Sequence, residues 1–189
     1  MPGGGEILAS LYGAWRLLWL DKNGLGYFDG SREACIRSFY AALLALPAYV
    51  ILVALHFSAV DTEFDTLHLM IVHALAFVVS WTAYPLVMHN VAGHLGREQR
   101  YFGFVTVFNW TRVLRVWIIL LATLIAASGL LPETLAKVLT LTAWIGVFGY
   151  QWFITRLALD VEGLPAGFLV ALEVGIGLCI SVLANQVLT

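Results

Sequence analysis

Five charged side chains fall where an apolar chain rarely carries them. Arg97, Arg100, Arg112 and Arg115 lie in GREQRYFGFVTVFNWTRVLR, a basic and aromatic stretch that runs directly into VWIILLATLIAASGLL. Glu173 lies inside GLPAGFLVALEVGIGL, near the C-terminus. A helix interior in lipid does not readily accept an ionised group, so each of these residues marks a membrane face or points into protein. Glu173 is eight residues past Pro165, about 12 Å along a helix. Arg112 and Arg115 are expected at a similar depth, giving an intramembrane cluster of Glu173, Arg112 and Arg115. Pairing would make the charges tolerable and lock the third apolar segment against the fifth. The chemical alternative is a carboxylate that handles protons or cations during transport.

Other chemistry is thinner. A haem clamp needs histidines from two helices at one depth. His73 and His89 share one segment and stand about 24 Å apart on a helix, so no cofactor is expected. His56 and His68 flank the acidic loop SAVDTEFDT, where Asp61, Glu63 and Asp65 would suit a divalent metal. A solvated acidic loop is the simpler reading, and no metal site is expected. Cys35 and Cys179 adjoin or lie in apolar helix and read as small packing residues. The chain contains no visible Ser-His-Asp arrangement, phosphate loop or zinc signature. It is not expected to be an enzyme.

The elements that must position these residues follow from composition. Of 189 residues 61% are hydrophobic and only 12% charged, with mean hydropathy +0.88. Soluble domains carry about 25% charged residues, so the chain is expected to be an all-α polytopic membrane protein. The net charge of −2 and the absence of a basic tail give no reason to expect nucleic acid as a partner. Five apolar segments predict spans at 34–57, 67–92, 113–131 (with 101–112 as an aromatic lead-in), 135–159 and 165–188. Pro47 and Pro85 fall inside the first two, with a kink expected at Pro47. Together these segments form a transmembrane domain at 34–189.

Residues 1–33 read as a cytoplasmic amphipathic region. In EILASLYGAWRLLWL the apolar residues recur at helical spacing over a length too short to span. An interfacial helix with Trp15 and Trp19 at headgroup level is expected. In the following linker, Asp29 or Ser31 can cap the next helix. No cleavable leader is evident, because the start lacks a basic region.

Charge placement orients the chain. Nine of its ten basic residues, Arg112 and Arg115 included, lie at or near one end of the five spans; Lys137 lies at the other. The positive-inside rule then predicts a cytoplasmic N-terminus and an external C-terminus in a cytoplasmic membrane. Arg97, Arg100, Tyr101 and Trp110 would form an inner-leaflet belt touching anionic headgroups. On the last segment, Gly167, Ala171, Gly175 and Cys179 recur every four residues as a helix-packing ridge. Glu173, Gly177, Ser181 and Asn185 form a second, weakly polar strip. Two such faces predict that the last helix is surrounded by neighbours.

The layout resembles the Yip family, five-span membrane proteins that interact with Rab GTPases in vesicle traffic and have bacterial relatives. The resemblance rests on Gly93, Gly96, Tyr101 and Trp110 in the connection GHLGREQRYFGFVTVFNWTRVL, on LTAWIGVFGYQWF, and on the Gly/Ala-rich last span. It covers most of residues 34–188. The family's Pro in the amphipathic stretch is absent, with Asn109, Trp110 and Thr111 in its place. The resemblance implies a non-enzymatic organiser or partner-binding module, its surfaces the N-terminal helix and the 93–115 connection. The competing expectation is a small-solute or ion transporter using Glu173.

Overall fold

In lipid no water is available to satisfy backbone polar groups, so apolar segments of this length close their own hydrogen bonds as helices. The computed structural model describes residues 2–58 and 66–188, which form helices and turns without a strand among them. Seven α-helices follow in order: α1 (Gly4–Leu18), α2 (Arg32–Ser38), α3 (Ala41–Ser58), α4 (Thr66–His94), α5 (Tyr101–Ala127), α6 (Glu133–Leu159) and α7 (Gly163–Leu188). Short 3-10 segments occupy Lys22–Tyr27 and Glu98–Arg100. Five stretches are long and apolar enough to cross a membrane: Arg32–Ser58, Thr66–His94, Glu98–Ala127, Glu133–Leu159 and Gly163–Leu188. The chain is a multi-pass, all-helical membrane protein.

Two boundaries differ from expectation. The lead-in at 101–112 and the span at 113–131 are one unbroken helix that ends at Ala127. The first apolar segment divides at Phe39 and Tyr40, while α3 runs on through Pro47. At the division the backbone tightens, with Tyr40 N–H donating to the Arg37 carbonyl and Leu43 N–H to the Tyr40 carbonyl (each 3.0 Å). Side chains fix the spot: Ser38 Oγ donates to the Cys35 carbonyl (2.7 Å) and accepts from Asn109 Nδ2 (2.9 Å). Hydroxyls that bond nearby carbonyls in this way compete with the helical ladder.

Helix α5 is the central element, packed against α1, α2, α3, α4 and α6. Helix α7 packs on α4 and α6 instead. The expectation that α7 is surrounded does not hold; it stands at the corner of the α4–α5–α6–α7 ring opposite α5. The largest buried side chains gather towards the end of the bundle that carries α1. There Tyr84, Met88, Phe104, Phe108 and Leu159 form one cluster. Ala41, Ala45, Trp81, Trp110 and Val113 form a second, and Leu17, Val107, Tyr150 and Ile154 a third.

Helix α1 is docked on this end. Its small face, Ser10, Gly13, Ala14 and Leu17, is buried, and Tyr150 Oη donates to the Ala14 carbonyl (2.7 Å). Gly13 and Gly24 let α1 and the 3-10 segment touch backbone to backbone. A Cβ on Gly24 would lie 2.7 Å from the Gly13 carbonyl oxygen and 2.8 Å from Leu17 Cγ. Arg37 Nε donates to both Glu6 carboxylate oxygens (2.9 and 3.0 Å), tying α1 to α2. Ser31 caps α2 by accepting from Ala34 N–H (3.2 Å), while Asp29 holds Ser31. The opposite face of α1 turns outward with Leu8, Tyr12, Trp15 and Trp19 exposed.

Candidate functional site

The charge cluster sits well inside the bundle. Arg112 and Arg115 lie eleven and fourteen residues into α5, about 17 and 21 Å along it. Glu173 lies ten residues into α7, about 15 Å along. All three are therefore near the middle of their helices, which are 27 and 26 residues long.

Arg115 and Glu173 meet. Arg115 Nη1 donates to Glu173 Oε1 at 2.9 Å, with side-chain exposures of 9% and 18%. The guanidinium lies 5.0 Å from the Phe108 ring centroid, a stacking that suits a desolvated cation. Arg115 Nε and Nη2 are buried without a hydrogen-bond partner among the described residues. The pair joins opposite corners of the helix ring, because α5 and α7 do not pack along their lengths.

Arg112 turns elsewhere. Its Nη1 donates to the Ser80 carbonyl (2.7 Å) and its Nη2 to Ser80 Oγ (3.1 Å), with the guanidinium 4.7 Å from the Trp81 ring. Three residues of helix separate the two arginines, which sets them about 60° apart around α5. One therefore faces α7 and the other α4. Ser80 and Trp81 were not legible as partners.

Two adjoining cavities lie at and beside the pair. The first, about 620 Å³, lies between Ser80, Tyr84, Arg112, Arg115, Trp144 and Glu173. The second, about 900 Å³, is walled by α3, α4, α5, α6 and α7 and shares Ser80, Arg112, Trp144, Gly177 and Ile180 with the first. It extends to Ser58 and Ala127, the last residues of α3 and α5, and to Asn185 near the end of α7. In its wall Tyr49 Oη lies 3.1 Å from His73 Nδ1, and His73 Nε2 is buried with no partner among the described residues. The strip Glu173, Gly177, Ser181 and Asn185 faces this crevice along its length.

The ridge on the other side of α7 has a different place. Ala171 and Cys179 are exposed, and a Cβ added at Gly167 or Gly175 would meet nothing within 4 Å. No helix of the described chain packs on it. Small residues permit close approach without requiring it, and α7 has neighbours on its polar side only.

At the α1 end, Arg97 and Arg100 are part-exposed and hold Asp160 at 3.7 and 3.2 Å. Asp160 has φ 53° at the left-handed cap of α6, so this ion pair clasps the α6–α7 turn to the α4–α5 turn. Trp15 and Trp19 are exposed, and Tyr101 is half-buried with its hydroxyl on the Pro85 carbonyl (3.0 Å). Trp110 departs from the belt assigned to it: it is 1% exposed and packed with Trp81 and Val113. It lies nine residues inside α5, about 14 Å from the helix start.

His56 stacks edge-on against Phe57, and His68 is exposed on α4. Asp61, Glu63 and Asp65 lie outside the described residues. Among the described residues no group of three or more His, Cys, Asp or Glu could hold a metal ion. The arrangement around Glu173 sets two guanidiniums and one carboxylate, net charge +1, where two cavities adjoin. Comparison with family models, curated proteins and solved structures finds no match for the chain.

Proposed function

We propose that this protein is a non-enzymatic carrier for a small solute, with the Arg115–Glu173 pair as the floor of its binding site. The observation that carries the reading is a crevice that runs from one end of the bundle to a mid-depth charge pair, while the other end is filled by aromatic packing. Ionisable groups within spanning helices that face a cavity mark solute pathways. The bundle would represent one access state, sealed at the α1 end.

Seven basic residues (Arg16, Lys22, Arg32, Arg37, Arg97, Arg100 and Arg156) lie at the α1 end and Lys137 at the other. This supports a cytoplasmic N-terminus in a cytoplasmic membrane, with the crevice facing outward. The outward aromatic face of α1 supports an interfacial position for that helix. A Yip-like partner module would present the 93–115 connection as a surface. Residues 104–111 are buried without exception, which favours the carrier.

Ser181→Cys, in a Cys35→Ala/Cys179→Ala background, tests the reading. A membrane-impermeant thiol reagent added outside intact cells is expected to label it. A well-assembled variant that stays unlabelled would remove the carrier reading.

A further inference from the structure

We infer that the solute is an amphipathic organic anion, a carboxylate or phosphate head on an apolar body; this rests on the carrier reading and names its substrate class. Charge count comes first. Glu173 balances one of the two guanidiniums, which leaves Arg112 without a carboxylate among the described residues. Excess positive charge at this depth is costly, and an anion in the crevice removes the cost. A cation would meet two guanidiniums, and a neutral solute would relieve nothing.

The donors then select the head group. In a guanidinium, Nε and Nη2 lie along one edge, and this fork matches the two oxygens of a carboxylate or phosphate. In Arg115 that edge has no partner among the described residues, while Nη1 alone holds Glu173. Glu173 is 18% exposed at the cavity wall. An arriving anion would thus compete with Glu173 for Arg115 while Arg112 borders both cavities. The body is selected by the remaining walls, where Leu52, Val53, Phe57, Val116 and Ile119 line the larger space. Such an anion can arrive from water or from the bilayer, and the head-group chemistry is the same.

The test is binding of octanoate, octyl phosphate, octanol and octylamine to the full chain in phosphatidylcholine nanodiscs, corrected for discs without protein. Both acids are expected to bind at least ~10-fold more tightly than octanol or octylamine, the scale of a charge-assisted hydrogen bond. Arg112→Gln should weaken the acids by a similar factor. Glu173→Gln should tighten them several-fold by freeing Arg115, a gain that misfolding cannot imitate. Equal binding of octanol and octanoate, or acid binding unchanged in both variants, overturns the inference. Phosphatidylglycerol that competes with octanoate names the bilayer as the source; failure to compete names water, and either result keeps the anion. A labelled Ser181→Cys without acid preference sinks the anion alone, whereas an unlabelled one sinks the carrier with it.

Discussion

The half of the bundle beside α1 and the half beyond the Arg115–Glu173 pair are built from the same apolar residue types but packed to different ends. Beside α1, Tyr84, Phe104, Phe108, Trp110, Ile154 and Leu159 are almost wholly buried, and α1 itself closes the base. Beyond the pair, α7 offers Gly177, Ser181 and Ala184 to the interior, and a cavity of about 900 Å³ remains. Lipid tails are as apolar as leucine, so helices in a bilayer associate by close packing and polar contacts rather than by a hydrophobic drive. The first half adds dense packing to its polar ties, such as Arg37–Glu6 and Tyr150–Ala14. The second relies on polar contacts at its boundary: Arg115–Glu173, Arg112–Ser80 and Tyr49–His73. The difference teaches that the Arg115–Glu173 pair, deep within its helices, stands where dense packing ends.

Truncation is the strongest way to break this comparison. Phe108→Ala is expected to cost about 3–5 kcal/mol, the usual loss for a wholly buried aromatic. Ile119→Ala, at the wall of an existing cavity, should cost about 1 kcal/mol or less, because little packing is there to lose. Thermal unfolding in detergent measures both. Equal costs would mean that the crevice is as tightly packed as the base.

The charge pair comes next. Glu173→Gln leaves Arg115 uncompensated and should destabilise by about 2–4 kcal/mol, below the full cost of breaking a buried pair because Glu173 is partly exposed. The double change Arg115→Met/Glu173→Leu should return stability to within about 1 kcal/mol of the original, since an apolar pair of similar volume needs no partner. A double variant as unstable as the single one would show that the boundary depends on charge as such. Octanoate should restore part of the loss in Glu173→Gln alone.

Much of this boundary was legible before the fold. Hydropathy located the five helices, and a period of 3.6 placed Glu173, Gly177, Ser181 and Asn185 on one face, which lines the crevice. The same arithmetic gave the ridge at Gly167, Ala171, Gly175 and Cys179 equal standing, because spacing states that a neighbour could approach and not that one exists. Trp110 read as a belt residue because its depth depends on where α5 begins. That start, at Tyr101, could not be told from a lead-in by composition. The partner of Arg112 is largely a backbone carbonyl, and every residue carries one, so residue types held no pointer to Ser80.

Glycines sharpen the contrast at smaller scale. Gly24→Ala would push a Cβ to 2.7 Å from the Gly13 oxygen, and backbone cannot yield as a flexible side chain can. The expected cost is about 1–3 kcal/mol, as for other overpacked contacts. Gly177→Ala meets nothing within 4 Å and should stabilise α7 by about 0.5–1 kcal/mol through helix propensity. The two substitutions are chemically identical, so opposite shifts in unfolding temperature would report the packing of the two halves directly.

The smallest effect lies at the edge of the packed half, where the chain leaves α1. Leu20 has φ 59° there, and Asp21 then accepts Asn23 N–H (3.0 Å) and Arg16 Nε (2.6 Å). The Asn23 backbone bond, followed by Arg16, holds the Asp21 carboxyl below its ordinary value. A carboxylate whose folded pKa is depressed contributes stability that is complete above the ordinary carboxylate range. That contribution is lost as pH falls through the lowered folded value. Asp21→Asn removes the Arg16 ion pair at any pH, so wild type should exceed the variant in unfolding temperature at pH 6, and the gap should close towards pH 3. Because Asp21 is at the surface, the gap should also shrink in high salt. A gap that does not narrow at all as pH falls below the ordinary carboxylate range would show that the clasp at the foot of α1 owes nothing to charge.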